Sequence, residues 1–290
     1  MTALLKLLDI KTLVAGLFPV ILGSVYSFYR YDKFSFMHLM LLLIGISFMQ
    51  GCANMINDIY DLKRGADTDA KADEKALVSG EASIRQVKRI VYVFLIVAIA
   101  ILVYYAYTIH LSILFVGVFG TTVMYFYSAG KRPISYTCFG EITAGFTMGL
   151  CIMTTVIYIQ SEVVNMETIF VTIPTSILIG TILLTNNLSD HKEDKIAGRR
   201  TLPILLGVEF AEWLWVLSCS SLILLTITFV CLAYWPILNL ILVIMFFPYA
   251  AIIEFRKLEK KAMNKPHLMT LIGKIGIRYH GALILGFLLS

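Results

Sequence analysis

Long apolar runs, separated by shorter polar stretches, repeat along the whole chain. A run of about 20 apolar residues can cross a bilayer as a helix, and about nine windows of this kind can be placed. They lie at residues 12–29, 36–56, 88–108, 111–129, 136–159, 167–187, 209–233, 236–254 and 270–289. The pattern therefore predicts an all-α, polytopic membrane protein with about nine transmembrane helices.

Composition agrees with this prediction. Of the 290 residues, 59% are hydrophobic and 15% are charged, whereas in a soluble domain about a quarter are charged. This balance excludes an ordinary soluble domain, and we expect one transmembrane domain over residues 1–290. The five cysteines lie in or beside apolar runs without CxxC spacing, which indicates free thiols and not a metal site or disulfides.

The distribution of basic residues predicts the orientation of the helices. If the amino terminus is cytoplasmic, all of the 24 Lys and Arg residues except Arg30 and Lys33 fall in cytoplasmic segments. This asymmetry follows the positive-inside rule. The net charge of +5 is then a topology signal, and we expect no nucleic-acid partner. The basic loop at 256–267 is expected to fix orientation and to attract anionic membrane lipid.

A polar segment, NNLSDHKEDKIAGRRTL, follows the window at 167–187. Asn186, Asp190 and Asp194 are spaced by four residues, so they would share a helix face, and Asn187 adjoins them. Facing carboxylates repel unless they are solvated or bind a cation. Mg²⁺ prefers oxygen ligands and leaves its other positions to water and substrate phosphates. A solvated helix end is the alternative interpretation of this segment taken alone.

A second segment of the same kind, NDIYDLKRGAD, follows the window at 36–56. Asn57 and Asp61 are four residues apart, and Asp58 and Asp61 are three apart, so they too would share a helix face. Two such motifs, each closing an apolar run, favour metal sites over coincidence. Both fall on the predicted cytoplasmic side, where the polar stretches at about 57–86 and 188–208 are candidates to cover the site.

Other residues at the same membrane face leave two interpretations open. Lys131 and Arg132 follow the window at 111–129, and they are either topology determinants or ligands of a diphosphate, whose oxygens Lys and Arg complement. Lys11, at the mouth of the first window, has the same two alternatives. Gly145 and Gly149 have the GxxxG spacing that favours close helix packing.

With these motifs in hand, the chain resembles the UbiA superfamily of intramembrane prenyltransferases. NNLSDHKEDKIAGRRTLPILLG is similar to the NNxRDxxxDxxxGKRTL segment of the 1,4-dihydroxy-2-naphthoate polyprenyltransferases, and NDIYDLKRGADT and LVSG are similar to their NDYxDxxxGxDT and SG signatures. There are two departures. Gly65 stands where the superfamily commonly has an Asp, and DIKTL, which contains Lys11, lacks the Arg of RPKTL.

The resemblance implies a UbiA-type helix bundle with cytoplasmic cap loops, and it implies roles for the polar residues. The metal-binding and catalytic carboxylates would be Asp58 and Asp61, with Asp67 as a further ligand, at one Mg²⁺ site, and Asp190 and Asp194 at the other. The substrate-binding residues would be Lys11, Asn57, Lys63, Arg64, Lys131, Arg132, Asn186, Asn187, Arg199 and Arg200.

The function that the resemblance implies is Mg²⁺-dependent transfer of a polyprenyl group from polyprenyl diphosphate to an aromatic acceptor. In the naphthoate branch the acceptor is 1,4-dihydroxy-2-naphthoate, which loses its carboxylate as CO₂ and gives demethylmenaquinone. Two alternatives stay open. The first is an enzyme of the same family with another acceptor, such as 4-hydroxybenzoate or homogentisate. The second is an ion-coupled secondary transporter, in which the carboxylates would lie near the bilayer midplane.

Overall fold

A computed structural model describes residues 3–65, 75–257 and 264–290, except for the side chains of residues 10–12 and 14. Within these ranges the regular secondary structure is helical, without a strand. The helices are α1 (Ala3–Leu8), α2 (Ile10–Tyr31), α3 (Phe36–Arg64), α4 (Ile84–Thr108), α5 (Ser112–Ser128), α6 (Gly140–Ala144), α7 (Ile152–Ser161), α8 (Met166–Phe170), α9 (Ile173–Ser189), α10 (His191–Ile196), α11 (Leu202–Leu206), α12 (Val208–Cys231), α13 (Ile237–Phe246), α14 (Tyr249–Lys257) and α15 (Lys265–Leu288).

The fold class is confirmed, and each predicted window overlaps a helix. In the described part of the chain, 6 helices are long and apolar enough to cross a membrane, or up to 7 if a bent pair counts as one span. The 6 are Phe36–Arg64, Ile84–Thr108, Gly140–Ser161, Met166–Ser189, Val208–Cys231 and Lys265–Leu288.

The expected count of nine spans is not confirmed, for two physical reasons. Helix α5 has 17 residues and rises about 26 Å, which is less than the roughly 30 Å of a bilayer core. The window at 236–254 is bent by 43° between α13 and α14. Pro248 follows the break, and a proline disfavours helical dihedrals in the residue before it, here Phe247 with φ −62° and ψ 129°.

The chain falls into two compact units, and α2 is divided between them. The first unit comprises Met1–Val20 and Ser35–Ser135, and the second comprises Ile21–Phe34 and Tyr136–Ser290. The expectation of one domain with a two-loop cap stays a prediction. Within the proposed cap segments, α3 continues to Arg64, and α10 and α11 occupy much of the stretch at 188–208.

The first unit is organised around α3, which packs against α1, α4 and α5. Its core contains the buried side chains Leu7, Cys52, Met55, Ile56, Ile59, Ala76, Leu77, Val87 and Val91. The segment before α4 is attached to α1 by an ion pair between Lys6 and Glu81. A hydrogen bond from the Lys6 ammonium holds the pKa of the Glu81 carboxyl below its usual range.

The second unit is organised around α9, which packs against α6, α12, α15 and a π-helical segment, Gly145–Cys151, that joins α6 to α7. A Cβ added at Gly149 would lie 2.4 Å from Ser176 Cα, and one added at Gly145 would lie 2.6 Å from Ser176 O. Only glycine permits this approach, so the packing interpretation of the GxxxG spacing is confirmed.

A polar cluster fixes α2 to α8 within the second unit. Arg30 Nε donates to Glu167 Oε1 at 2.5 Å, and its Nη2 donates to Oε2 at 2.9 Å. The Tyr26 hydroxyl donates to the same carboxylate at 2.8 Å. A bidentate contact of this kind defines the orientation of both side chains.

Candidate active site

The first motif occupies the last two turns of α3. The helix ends where Gly65 adopts a left-handed conformation (φ 69°) and its N–H donates to the carbonyls of Asp61 and Leu62. Because the helix continues to this cap, Asn57, Asp58 and Asp61 lie on helical backbone and keep the spacing of one turn. Asp58 and Asp61 are only 5% and 6% exposed, so both carboxylates need polar or charged partners.

The partners of the first motif come from other segments of the same unit. Asn57 Nδ2 donates to Asp61 Oδ2 at 2.9 Å, and Ser128 Oγ donates to Asn57 Oδ1 at 2.9 Å. Lys75 forms an ion pair with Asp58. These contacts join the motif to the end of α5 and to the segment before α4.

Arg64 holds the basic segment that follows α5. Its guanidinium donates to the carbonyls of Ser128 at 2.8 Å and Gly130 at 2.9 Å. Gly130 has φ 92°, and the next two residues, Lys131 and Arg132, are exposed. The predicted ligand Arg64 therefore contacts backbone here, and it fixes the start of the Lys-Arg pair.

Lys63 is also exposed, and its ammonium lies 5.4 Å from the centre of the Tyr60 ring. A cation at this distance from an aromatic face is attracted by the ring quadrupole. Lys63 thus leaves its hydrogen-bond donors directed toward water or a ligand only in part, since the ring limits its freedom.

The second motif lies across the junction of α9 and α10. Asp190 separates the two helices, yet its N–H donates to Asn186 O at 3.0 Å and its carbonyl accepts from Asp194 N at 2.8 Å. Helical hydrogen bonding therefore continues from Asn186 to Asp194, and the predicted spacing of one turn between these residues is present in the backbone.

Basic residues surround the end of the second motif. Asp194 is buried, and Arg199 Nε lies 3.4 Å from its Oδ1. The Arg199 guanidinium also lies 4.8 Å from the centre of the Tyr136 ring. Arg200 is exposed, and its N–H donates to Tyr136 O at 2.9 Å. Asp190 is contacted by a residue from α15, Lys265, whose Nζ lies 2.5 Å from Oδ2.

A buried amide–carboxylate pair supports the second motif from α6. Asn187 Nδ2 donates to Glu141 Oε1 at 2.8 Å, and both side chains are buried. The contact sets the orientation of the amide, because only its NH₂ group can donate to a carboxylate oxygen. Close packing at Gly180, where an added Cβ would lie 3.1 Å from Glu141 O, keeps α6 and α9 together.

Two predicted site residues lie outside the described part of the chain, namely Asp67 and the side chain of Lys11. Among the described residues, no group of three or more His, Cys, Asp or Glu side chains could hold a metal ion by itself. The donors of each motif are carboxylate and amide oxygens, and Mg²⁺ commonly takes only one or two protein carboxylates and completes its shell with water and phosphate. The donor chemistry of both motifs therefore fits Mg²⁺.

Sequence reasoning missed the partners that hold the motifs. Ser128 and Tyr136 carry no distinctive local pattern, and Lys75 and Lys265 count only as basic residues in polar stretches. Glu141 gave the one usable signal, because an acid next to an apolar window that also carries a GxxxG spacing needs a buried partner.

The profile of the UbiA prenyltransferase family matches residues 16–272. The chain is 34% identical over 197 residues to the 1,4-dihydroxy-2-naphthoate octaprenyltransferase of Bacillus subtilis (strain 168), covering 68% of this chain and 63% of that protein. It therefore matches less than two thirds of that relative's length. It is 27% identical over 256 residues to UbiA prenyltransferase domain-containing protein 1 of Homo sapiens, covering 87% of this chain and 73% of that one.

Solved structures share the fold. A UbiA homolog from Archaeoglobus fulgidus, determined with GPP and Mg²⁺ bound, superposes with a TM-score of 0.61 at 19% identity. The superposition covers 93% of this chain and 99% of that chain. At this level of identity the similarity defines the architecture.

Proposed function

This chain belongs to the UbiA prenyltransferase family, and we propose that it transfers a polyprenyl group from polyprenyl diphosphate to the ring of an aromatic acceptor. Its apolar helices make it an integral membrane protein. The observation that carries the proposal is the pair of Asn/Asp motifs at helix ends, each with a buried carboxylate and a cationic side chain in contact.

Mg²⁺ is the proposed cofactor, and the motif carboxylates are the proposed ligands: Asp58, Asp61 and Asp67 in the first unit, and Asp190 and Asp194 in the second. When bound, the metal supplies Lewis-acid stabilisation of the diphosphate as its negative charge grows. Asn57 and Asn187 are held by hydrogen bonds that fix their amide orientation. We infer that they position the adjacent carboxylates.

The proposed reaction breaks the C–O bond of the allylic diphosphate, and the diphosphate leaves with the electron pair. Cationic groups placed beforehand stabilise this leaving charge. In the first unit, Arg64 anchors the segment that presents Lys131 and Arg132, and Lys63 lies on the same helix end. In the second unit, the proposed phosphate ligands are Arg199 and Arg200, with Asn186 one helical turn before Asp190.

The acceptor ring then forms a carbon–carbon bond to the allylic carbon. We propose 1,4-dihydroxy-2-naphthoate as the acceptor, with release of its carboxylate as CO₂, and the name of the Bacillus relative supports this choice. The apolar helices suit the isoprenoid chain, and exclusion of water protects the cationic carbon from hydrolysis. The basic-residue asymmetry supports an orientation with both motifs on the cytoplasmic side.

The test is a transfer assay with the purified full chain in detergent or liposomes. The protein is incubated with Mg²⁺, one prenyl diphosphate, and separately 1,4-dihydroxy-2-naphthoate, 4-hydroxybenzoate or homogentisate, and products are identified by mass. We expect a prenylated, decarboxylated naphthoate product that disappears when EDTA is added. A product with only 4-hydroxybenzoate or homogentisate would keep prenyl transfer and reject the naphthoate assignment.

Matched variants test the motifs themselves. Asp61→Asn and Asp190→Asn each remove one charge without a change of shape, and we expect each to abolish measurable turnover. Asp32→Asn is the control, because Asp32 is an exposed acid outside both motifs. Unimpaired transfer by both motif variants would reject the proposed function.

A further inference from the structure

Two lysines outside the predicted site contact the two Asp motifs. Lys75 pairs with Asp58 in the first unit, and Lys265 Nζ lies 2.5 Å from Asp190 Oδ2 in the second. The lysines come from unrelated segments, one before α4 and the other at the start of α15. Each nevertheless contacts a carboxylate of a motif, so the same arrangement occurs twice.

The position of Lys265 is not one that helix stability would favour. It is the first residue of α15, where the helix dipole disfavours a positive charge. Its side chain is 47% exposed, so water could solvate the ammonium without an ion pair. The contact with Asp190 is therefore a specific use of this side chain.

Lys75 meets a different requirement. Asp58 is nine-tenths buried, and a buried carboxylate without a positive partner is costly. A Mg²⁺ ion at the same carboxylate would meet this requirement as well, and two cations at one carboxylate repel each other. Metal and ammonium therefore compete for Asp58, and the same holds for Asp190 and Lys265.

We propose that Lys75 and Lys265 are exchangeable counter-cations of the two motifs. Each neutralises its Asp before Mg²⁺ binds, gives up the carboxylate to the metal, and then donates to an oxygen of the diphosphate. A lysine suits this exchange because its ammonium is a point charge on a flexible four-carbon stem, and it binds phosphate readily. The inference rests on the proposed function and adds two substrate-binding residues to it.

The test separates binding of the metal from binding of the diphosphate. The purified full chain and its Lys75→Met and Lys265→Met variants are titrated with Mg²⁺ alone by calorimetry, with the Mg²⁺-induced rise in Tm as a second readout. Lys88→Met and Lys274→Met are the controls, since both lysines are exposed on α4 and α15.

We expect the two variants to bind Mg²⁺ about three- to tenfold more tightly than wild type, because the competing ammonium is gone. At saturating Mg²⁺, the same variants should bind geranyl diphosphate about three- to tenfold more weakly, because one phosphate contact is lost. The controls should match wild type in both titrations. Opposite changes in the two affinities are the signature of the exchange.

Affinities equal to the controls, or weaker in both titrations, would overturn the exchange, the second result indicating that the lysines only hold the motifs in place. If Lys75→Met does not fold, the half-exposed Lys265 decides by itself. A wild-type protein that transfers prenyl groups while its lysine variants match the controls loses only this inference. A wild-type protein that makes no prenylated product loses the proposed function.

Discussion

Replacement of Gly149 by Ala tests the helix crossing that supports the second motif. The added methyl would lie 2.4 Å from Cα, 2.6 Å from Oγ and 2.8 Å from N of Ser176. Two of these three atoms belong to the backbone, so a change of side-chain rotamer cannot relieve the clash. The π-helical segment and α9 would have to move apart.

The expected cost follows from this geometry. Overpacking a well-packed site costs about 1–3 kcal/mol, and the obstruction by backbone places Gly149→Ala in the upper part of that range. The higher helix propensity of Ala returns up to about 1 kcal/mol. We therefore expect the free energy of unfolding to fall by about 1–2 kcal/mol. Separation of the helices would also lengthen the 2.8 Å hydrogen bond between Asn187 and Glu141, so transfer activity should fall too.

The assay is unfolding by SDS in mixed micelles, followed by tryptophan fluorescence, together with the initial rate of prenyl transfer. Gly281→Ala is the matched control, because Gly281 lies inside α15 and an added Cβ there has no neighbour within 4 Å. We expect this control to be neutral or stabilised by up to about 1 kcal/mol. Equal stability of the Gly149 and Gly281 variants would refute the reasoning.

Three further variants test other contacts. Glu141→Leu leaves the buried amide of Asn187 without this acceptor, at a cost of about 1–3 kcal/mol, so we expect the transfer rate to fall about tenfold or more. Arg64→Gln removes two hydrogen bonds to carbonyls, and we expect KM for prenyl diphosphate to rise about fivefold with a smaller change in kcat. Glu167→Gln weakens the bidentate contact with Arg30, and unfolding free energy should fall by about 1 kcal/mol without a change in rate.

Each of these predictions has its own control and its own contrary result. Glu141→Gln keeps the acceptor oxygen and should retain most activity, and equal losses in the Gln and Leu variants would exclude an orienting hydrogen bond. Arg85→Gln alters an exposed arginine and should leave KM unchanged. For the last variant, Glu162→Gln is the comparison, because Glu162 is exposed. A rate loss specific to Glu167→Gln would mean that this cluster affects the chemistry.

The sequence predicted the helices well, because hydrophobic periodicity and length are local properties. It placed the first window's end at residue 56, since the polar motif lowers the local hydrophobicity, whereas α3 continues to the left-handed cap at Gly65. It also treated 236–254 as one span. An average over a window conceals a single Pro248, although that residue is enough to break the helix.

The partners of the motifs could not be predicted from local pattern. Asn187 and Glu141 are 46 residues apart in the chain, Ser128 and Asn57 are 71 apart, and Lys265 and Asp190 are 75 apart. Such pairs depend on how helices cross, which spacing within one helix does not determine. The residue types and spacing of the motifs were readable, but the side chains that neutralise and orient them were not.

The wide winding of Gly145–Cys151 has a consequence for the direction in which Glu141 projects. A π-helical turn holds more residues than an α-helical turn, so it shifts the angular phase of everything before it relative to α7. Each residue of an α-helix turns the chain by about 100°. A chain one residue shorter here could wind Gly140–Ser161 as a continuous α-helix, and the carboxylate would then turn away from Asn187 by about a quarter of a revolution. The surplus residue thus acts as an angular spacer, and its insertion is a simple route by which an ordinary span could acquire this contact.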